Sequence, residues 1–122
     1  VSNIDITAIT EDQIRETSRD RNATIKLLRA VLKTRSGKAW SVTGDRGTAW
    51  GWITIKSPPA RAADKWGSMT PEEATELGKL LGTDRPVHHQ GQTIPAAADF
   101  RHGIIQAALG RPVTVHGQQY WD

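Results

Sequence analysis

The 122 residues form one domain of ordinary size, long enough to bury roughly two-thirds of the unfolded surface in a single core. With 37% hydrophobic and 24% charged residues the chain reads as globular with a lean core, and the absence of cysteine excludes disulfides, thiolate metal sites and a cysteine nucleophile. A formal charge of +3 leans towards acidic partners, and no apolar run approaches the ~18 residues needed to cross a bilayer.

Residues 1–9 read as a flexible lead-in. They lack the basic and apolar regions of a secretory signal, so a cytoplasmic setting is expected. "TEDQ" then opens a helix. Thr10 and Gln13 have capping-box spacing, and Glu11 and Asp12 suit the positive end of the helix dipole. The spacing predicts a helix over 11–35, stopped by Ser36-Gly37, with "DRN" at 20–22 a weak point where it can break. Ile14, Ile25, Leu28, Val31 and Leu32 make its apolar side. If the helix is continuous, Arg15, Arg19, Lys26, Arg29 and Lys33 share an arc of about 80° on another side. Most such runs are solvated faces; the alternatives are a surface that tracks phosphates and one that meets an acidic protein.

Lys38 to Pro59, "KAWSVTGDRGTAWGWITIKSPP", holds three of the five tryptophans. Lys38–Thr43 alternates, with Trp40 and Val42 on one face; in the second arm Trp50, Trp52, Thr54 and Lys56 alternate against Gly51, Ile53 and Ile55. These arms predict a hairpin ended by the two prolines. Its tip, "GDRGT", has glycines suited to a tight turn but lacks the following lysine-threonine and helix of a P-loop. Trp40, Trp50 and Trp52 can supply core area, each ring burying about 150–250 Å². Alternatively, one ring beside Lys38, Arg46 and Lys56 can stack on an unpaired base or anchor a protein interface. Residues 60–69 read as a loop that Trp66 pins to the body.

"MTPEEATELGKLLG" predicts the second helix, with Thr70 at the N-cap, Pro71 at its first position, Glu73 completing a capping box, Ala74, Leu77, Gly78 and Leu81 inside, and Gly82 as the stop. "VHHQGQTI" suits a short edge strand, in which His88 and His89 would point opposite ways. Pro95 opens a third helix to about Leu109, and Val113–His116 offers a last strand. The sum is an α+β fold: a single domain over 1–122, with three helices packed on a small, mainly antiparallel sheet containing the tryptophan-rich hairpin.

No metal-binding or nucleophile motif accompanies the four histidines, His88, His89, His102 and His116, and no cofactor is implied. Asp99 and His102, three apart on one helix, are the pair an enzyme would use, the carboxylate orienting the imidazole. A binding module is favoured over an enzyme.

The combination "WSVTGDRGTAWGWITIKSPP", "MTPEEATELGKLLG", "HHQGQTIPAAADFR" and "YWD", across residues 25–122, resembles the large polyvalent protein-associated domains of phage and mobile elements. That resemblance implies a setting among foreign DNA and host defences, and it implies no reaction and no active site. The expected function is therefore a non-enzymatic nucleic-acid-binding accessory domain, with DNA favoured over RNA. Arg15, Arg19, Lys26, Arg29, Lys33, Lys38, Arg46, Trp50, Trp52 and Lys56 would make its surface. The alternative is an interaction or inhibitor module that meets an acidic host protein.

Overall fold

The computed structural model of the chain describes residues 6–45, 51–83 and 85–111. Its elements run α1 (Glu11–Ser18), α2 (Arg21–Ser36), β1 (Ser41–Gly44), β2 (Ile53–Lys56), a single 3-10 turn (Pro59–Arg61), α3 (Pro71–Leu80), β3 (Gln92–Ile94) and α4 (Ala98–Ala108). The α+β class expected from the sequence holds, with four helices in place of three. The extra one comes from the weak point at Asp20, which becomes the N-cap of α2 and accepts the Asn22 N–H at 3.0 Å. α1 opens with the anticipated capping box: Thr10 Oγ1 accepts from Gln13 N, and Gln13 Oε1 accepts from Thr10 N. Gly37, at φ 74°, closes α2 by donating its N–H to Lys33.

In α3 the N-cap is as expected but half the capping box is missing. Thr70 Oγ1 accepts the Glu73 N–H at 3.2 Å, while the Glu73 side chain turns inward to Arg61. The charge on Arg61 is a stronger draw for a buried carboxylate than one exposed backbone donor. α4 starts at Ala98, not Pro95, and its cap, Ala97, offers no side-chain bond. The expected strand Val113–His116 lies outside the described residues.

The sheet has the order β1-β2-β3 and is antiparallel throughout. Ser41 pairs with Lys56 and Thr43 with Thr54, and Asp45 extends the ladder by donating to the Trp52 carbonyl at 2.9 Å. Strand alternation puts Val42, Ile53, Ile55 and Ile94 on the inner face, where all four are buried. They pack with Ile14, Leu28, Leu32, Leu77, Ile104 and Ile105 into one core, as the helical periodicity anticipates for α1, α2 and α3. The described helices pack on this side. Trp52, just before β2, and Thr54 and Lys56 on it alternate outward; the sequence separates this set from Ile53 and Ile55 but leaves open which set faces the core.

The register leaves the Val42 and Gly44 backbone pointing away from β2, so β1 has a free edge. Arginines close it. Arg29 donates from Nε and Nη2 to the Val42 carbonyl at 3.0 and 2.8 Å, and Arg21 Nη1 reaches the Asp45 carbonyl at 3.1 Å. Carried two residues further, the register sets Ala39 against Pro58, which has no N–H to give. Arg61 Nη2 donates to the Ala39 carbonyl instead. The same guanidinium lies 5.1 Å over the Trp40 ring and 3.1 Å from Glu73 Oε2, an ion pair whose angle falls short of a hydrogen bond.

The hairpin returns to the body at Gly51, whose φ of 100° favours glycine and where an added methyl would sit 2.9 Å from the Ala96 Cβ. Gly51→Ala is expected to destabilise the fold by about 1–3 kcal/mol. Urea unfolding measures it, and an unchanged midpoint would reject this account of the turn.

Candidate functional surface

The sequence presents the cations of residues 15–33 as one stripe, and the break at Asp20 divides it. Arg15 and Arg19 belong to α1 and its C-cap, where each meets an acid one turn earlier: Arg15 to Asp12 at 3.1 Å and Arg19 to Glu16 at 3.5 Å. Both pairs are exposed, and such pairs contribute at most about 0.5 kcal/mol, so a phosphate can displace them cheaply. Lys26, Arg29 and Lys33 remain together on α2 and are exposed. Arg29, holding Val42, brings this face to the free edge of β1. Lys38 lies apart and pairs with Glu76 at 2.7 Å.

The tryptophans divide as well. Trp40 is 4% exposed; its indole N–H donates to Ser36 Oγ at 3.0 Å, so it is core with its polar atom satisfied. Trp52 is 39% exposed on the outer face of the sheet. Arg46 and Trp50 lie outside the described residues. Trp66, expected to pin its loop, is 71% exposed with Lys65 Nζ 5.0 Å from its ring centre. Loop 60–69 needs no aromatic anchor because Asp64 organises it, accepting the N–H groups of Trp66 at 2.9 Å and Ser68 at 3.2 Å.

Register joins these residues into one surface. Thr43, Thr54 and Thr93 lie opposite one another across the three strands, flanked on β2 by Trp52 and Lys56. Asp45, opposite Trp52 by the extended ladder, is the acid on this face; its Oδ1 accepts the Thr54 hydroxyl at 3.2 Å. Lys56 Nζ extends to Gly67, which places the loop carrying Lys65 and Trp66 at the far end of the strand. There the Met69 N–H reaches the His89 carbonyl at 2.8 Å, and Gln90 Nε2 reaches Ser68 Oγ at 2.6 Å. His88 and His89 are therefore in a turn and not in the edge strand, which starts at Gln92. Freed from strand alternation, their rings stack with centroids 4.2 Å apart.

Sequence reasoning missed Trp66, Lys65 and this histidine pair as parts of a surface, since none has a period that assigns it a face. The "D-K-W-G-S" composition, an Asp two residues before the tryptophan, is the one signal that marks the turn presenting it. Asp99 and His102 share the start of α4, but His102 Nε2 pairs with Glu11 Oε1, 2.6 Å away, tying α4 to α1. No group of three metal-ligating side chains is found among the described residues, and none of their helices is long and apolar enough to cross a membrane. No family model, curated protein or solved structure matches this chain.

The Asp64 turn has a pH signature. The Ser68 amide is the largest cause holding its carboxyl below the ordinary value, aided by the Trp66 amide, the Ser68 hydroxyl and nearby His89, and opposed by partial desolvation. A lowered folded pKa contributes stability that is present above the unfolded pKa of about 3.9 and lost as pH falls through the folded value. The part of the Trp66 and Ser68 amide shifts in NMR that depends on Asp64, isolated by comparison with Asp64→Asn, should therefore stay flat from about pH 8 to 5 and move only below about pH 3.9. An inflection above that value would contradict the turn described here.

Proposed function

We propose that this chain is a non-enzymatic nucleic-acid-binding module, of the kind that travels with phage or mobile elements, with DNA the favoured polymer. The observation that carries the reading is α2. Arg21–Ser36 contains Arg21, Lys26, Arg29, Lys33 and Arg35 and no acid; the exposed Lys26, Arg29 and Lys33 fall on one face, while Arg35, also exposed, is on another side. A solvated helix face ordinarily mixes signs, and a run without acids instead neutralises phosphates and releases their counterions. Arg15 and Arg19, freed from weak pairs, extend the basic area along α1. The outward Trp52 and Lys56 supply the aromatic and cationic mixture that base contact needs.

Exposed Trp66 beside Lys65 favours a second reading, an interface for an acidic protein, since tryptophan is a preferred anchor at protein interfaces. Catalysis by Asp99 and His102 has less support because Glu11 engages the imidazole.

Fluorescence anisotropy with labelled DNA at several salt concentrations separates these readings. Affinity should fall linearly on a log–log plot with a slope of about −0.9 per phosphate engaged, and the double variant Lys26→Glu, Lys33→Glu should reduce the slope's magnitude by about two. Arg29 is left intact because it closes the β1 edge. Salt-insensitive binding, or a double variant that binds as the parent does, would reject nucleic acid as the ligand of α2.

A further inference from the structure

We infer that the outer face of the sheet is a single-strand path, in which unpaired bases stack on Trp52 at one end of β2 and, towards the other, on Trp66 and on the stacked rings of His88 and His89 in the neighbouring turn. The inference rests on the nucleic-acid reading and specifies the form of polymer. Its first support is exposure. Trp40 is buried with its N–H bonded, so the fold does satisfy a tryptophan where it uses one as core, whereas Trp52 is 39% and Trp66 71% exposed. Duplex binding through α2 has no use for two indoles, because paired bases are already stacked on each other. An unpaired base has a free π face, and aromatic stacking is how single strands are held.

Flatness is the second support. Trp52, just before β2, lies four residues from Lys56, about 13 Å at 3.3 Å per residue. Between the ends run the three threonines, short and uncharged, whose hydroxyls both donate and accept. A sheet three strands wide, at about 4.8 Å per strand, does not enter a major groove about 12 Å across as a helix does. Instead it offers a floor on which splayed bases lie.

Charge gives the third support and fixes the strand's orientation. Lys56 and Lys65 stand at the Trp66 end, and the cations of α2 border the β1 edge. Asp45 is the contrary charge, beside Trp52. A phosphate is disfavoured there, whereas the carboxylate accepts hydrogen bonds from a base's amino group, as Asp does from cytosine. The bases therefore face the sheet over Asp45 and Thr54, and the phosphates pass along the lysines at its margins.

The test compares a labelled single-stranded DNA, its RNA counterpart and the matched DNA duplex, with tryptophan fluorescence and anisotropy read together. The single strands should bind more tightly than the duplex and quench tryptophan emission. Trp52→Ala and Trp66→Ala should each weaken single-strand binding by about five- to a hundredfold while leaving duplex binding unchanged. Thr93→Glu, at an exposed position on the same face, should weaken single-strand binding without removing an aromatic ring, and circular dichroism checks that each variant folds. Duplex binding that equals or exceeds single-strand binding, together with Trp66→Ala having no effect, would overturn the single-strand path and leave the α2 reading standing. No binding to any of the three polymers would overturn both, and would direct attention to an acidic protein on this surface.

Discussion

An arginine donating to a backbone carbonyl is the contact on which this fold repeatedly depends. Among the described residues at least six arginines do so: Arg21, Arg29, Arg35, Arg61, Arg101 and Arg111. A small sheet with two edge strands and four helices leaves many carbonyls without backbone partners, and a lean core has few other means of joining the elements. Arg35 illustrates the economy. From the end of α2, its Nη1 reaches the Leu80 and Ala108 carbonyls at 2.7 and 2.8 Å, satisfying the C-terminal turns of α3 and α4 at once. Placing cations at helix C-termini also complements their dipoles. On the outer edge of β1 the same device occupies the Val42 carbonyl, where a further strand would pair, and Arg21 and Arg61 hold the carbonyls just beyond its two ends.

Arg101 is the extreme case. It lies on α4, is 7% exposed, and donates to the Ser18 carbonyl at the end of α1 and to the Gly51 carbonyl at the hairpin's return. Burial lowers its pKa, the neighbouring Arg21 charge lowers it further, and Asp20 opposes both. The ordinary value of a guanidinium lies so far above neutrality that the group stays charged at physiological pH. A buried guanidinium facing another one costs stability unless its donors are used, and among the described residues its Nε has no partner. What the fold gains is position: one side chain fixes α4, α1 and the strand that begins beside Trp52. The aromatic face of the sheet is thus set by a residue that does not reach it.

The elements whose determinants lie within a few residues of one another are legible in the sequence. Thr10 with Gln13, Asp20, Gly37 and Thr70 with Pro71 mark helix ends by local chemistry, and the alternation of residues 51–56 separates Trp52 and Lys56 from Ile53 and Ile55, although the side each set takes is decided by packing across the fold. Contacts made across the fold are not. Arg29 and Val42 are 13 residues apart and Arg35 and Ala108 are 73 apart, and no pattern in the sequence links them. For that reason the cations resemble one exposed stripe, when part of the charge is committed to carbonyls and part to Asp12, Glu16 and Glu76. His88 and His89 escape their expected strand for a related cause: Gly91, at φ 111°, starts the strand after them and leaves their rings free to stack. Trp66 has the size that ordinarily draws a ring against the body, and Asp64 makes that contact unnecessary.

The division of labour among the cations bears on function more than their number does. Committed arginines can still attract a phosphate at long range, but they cannot swing to meet one without uncovering a carbonyl. Lys26 and Lys33 on α2, and Lys65 in its turn, cap no carbonyl among the described residues, and lysine's flexible stem suits contacts that follow a polymer without reading it. The sheet face adds what those lysines lack, rigid aromatic surface beside hydroxyls and one carboxylate that can discriminate among bases. Arg29 holds the two together, since its stem rises from the basic face of α2 and its guanidinium closes the edge of β1. On the reading proposed above, a ligand that used only one of the two surfaces would leave either the acid-free helix or the exposed indoles unexplained, and a single strand with its phosphates towards α2 and its bases over β2 would use both.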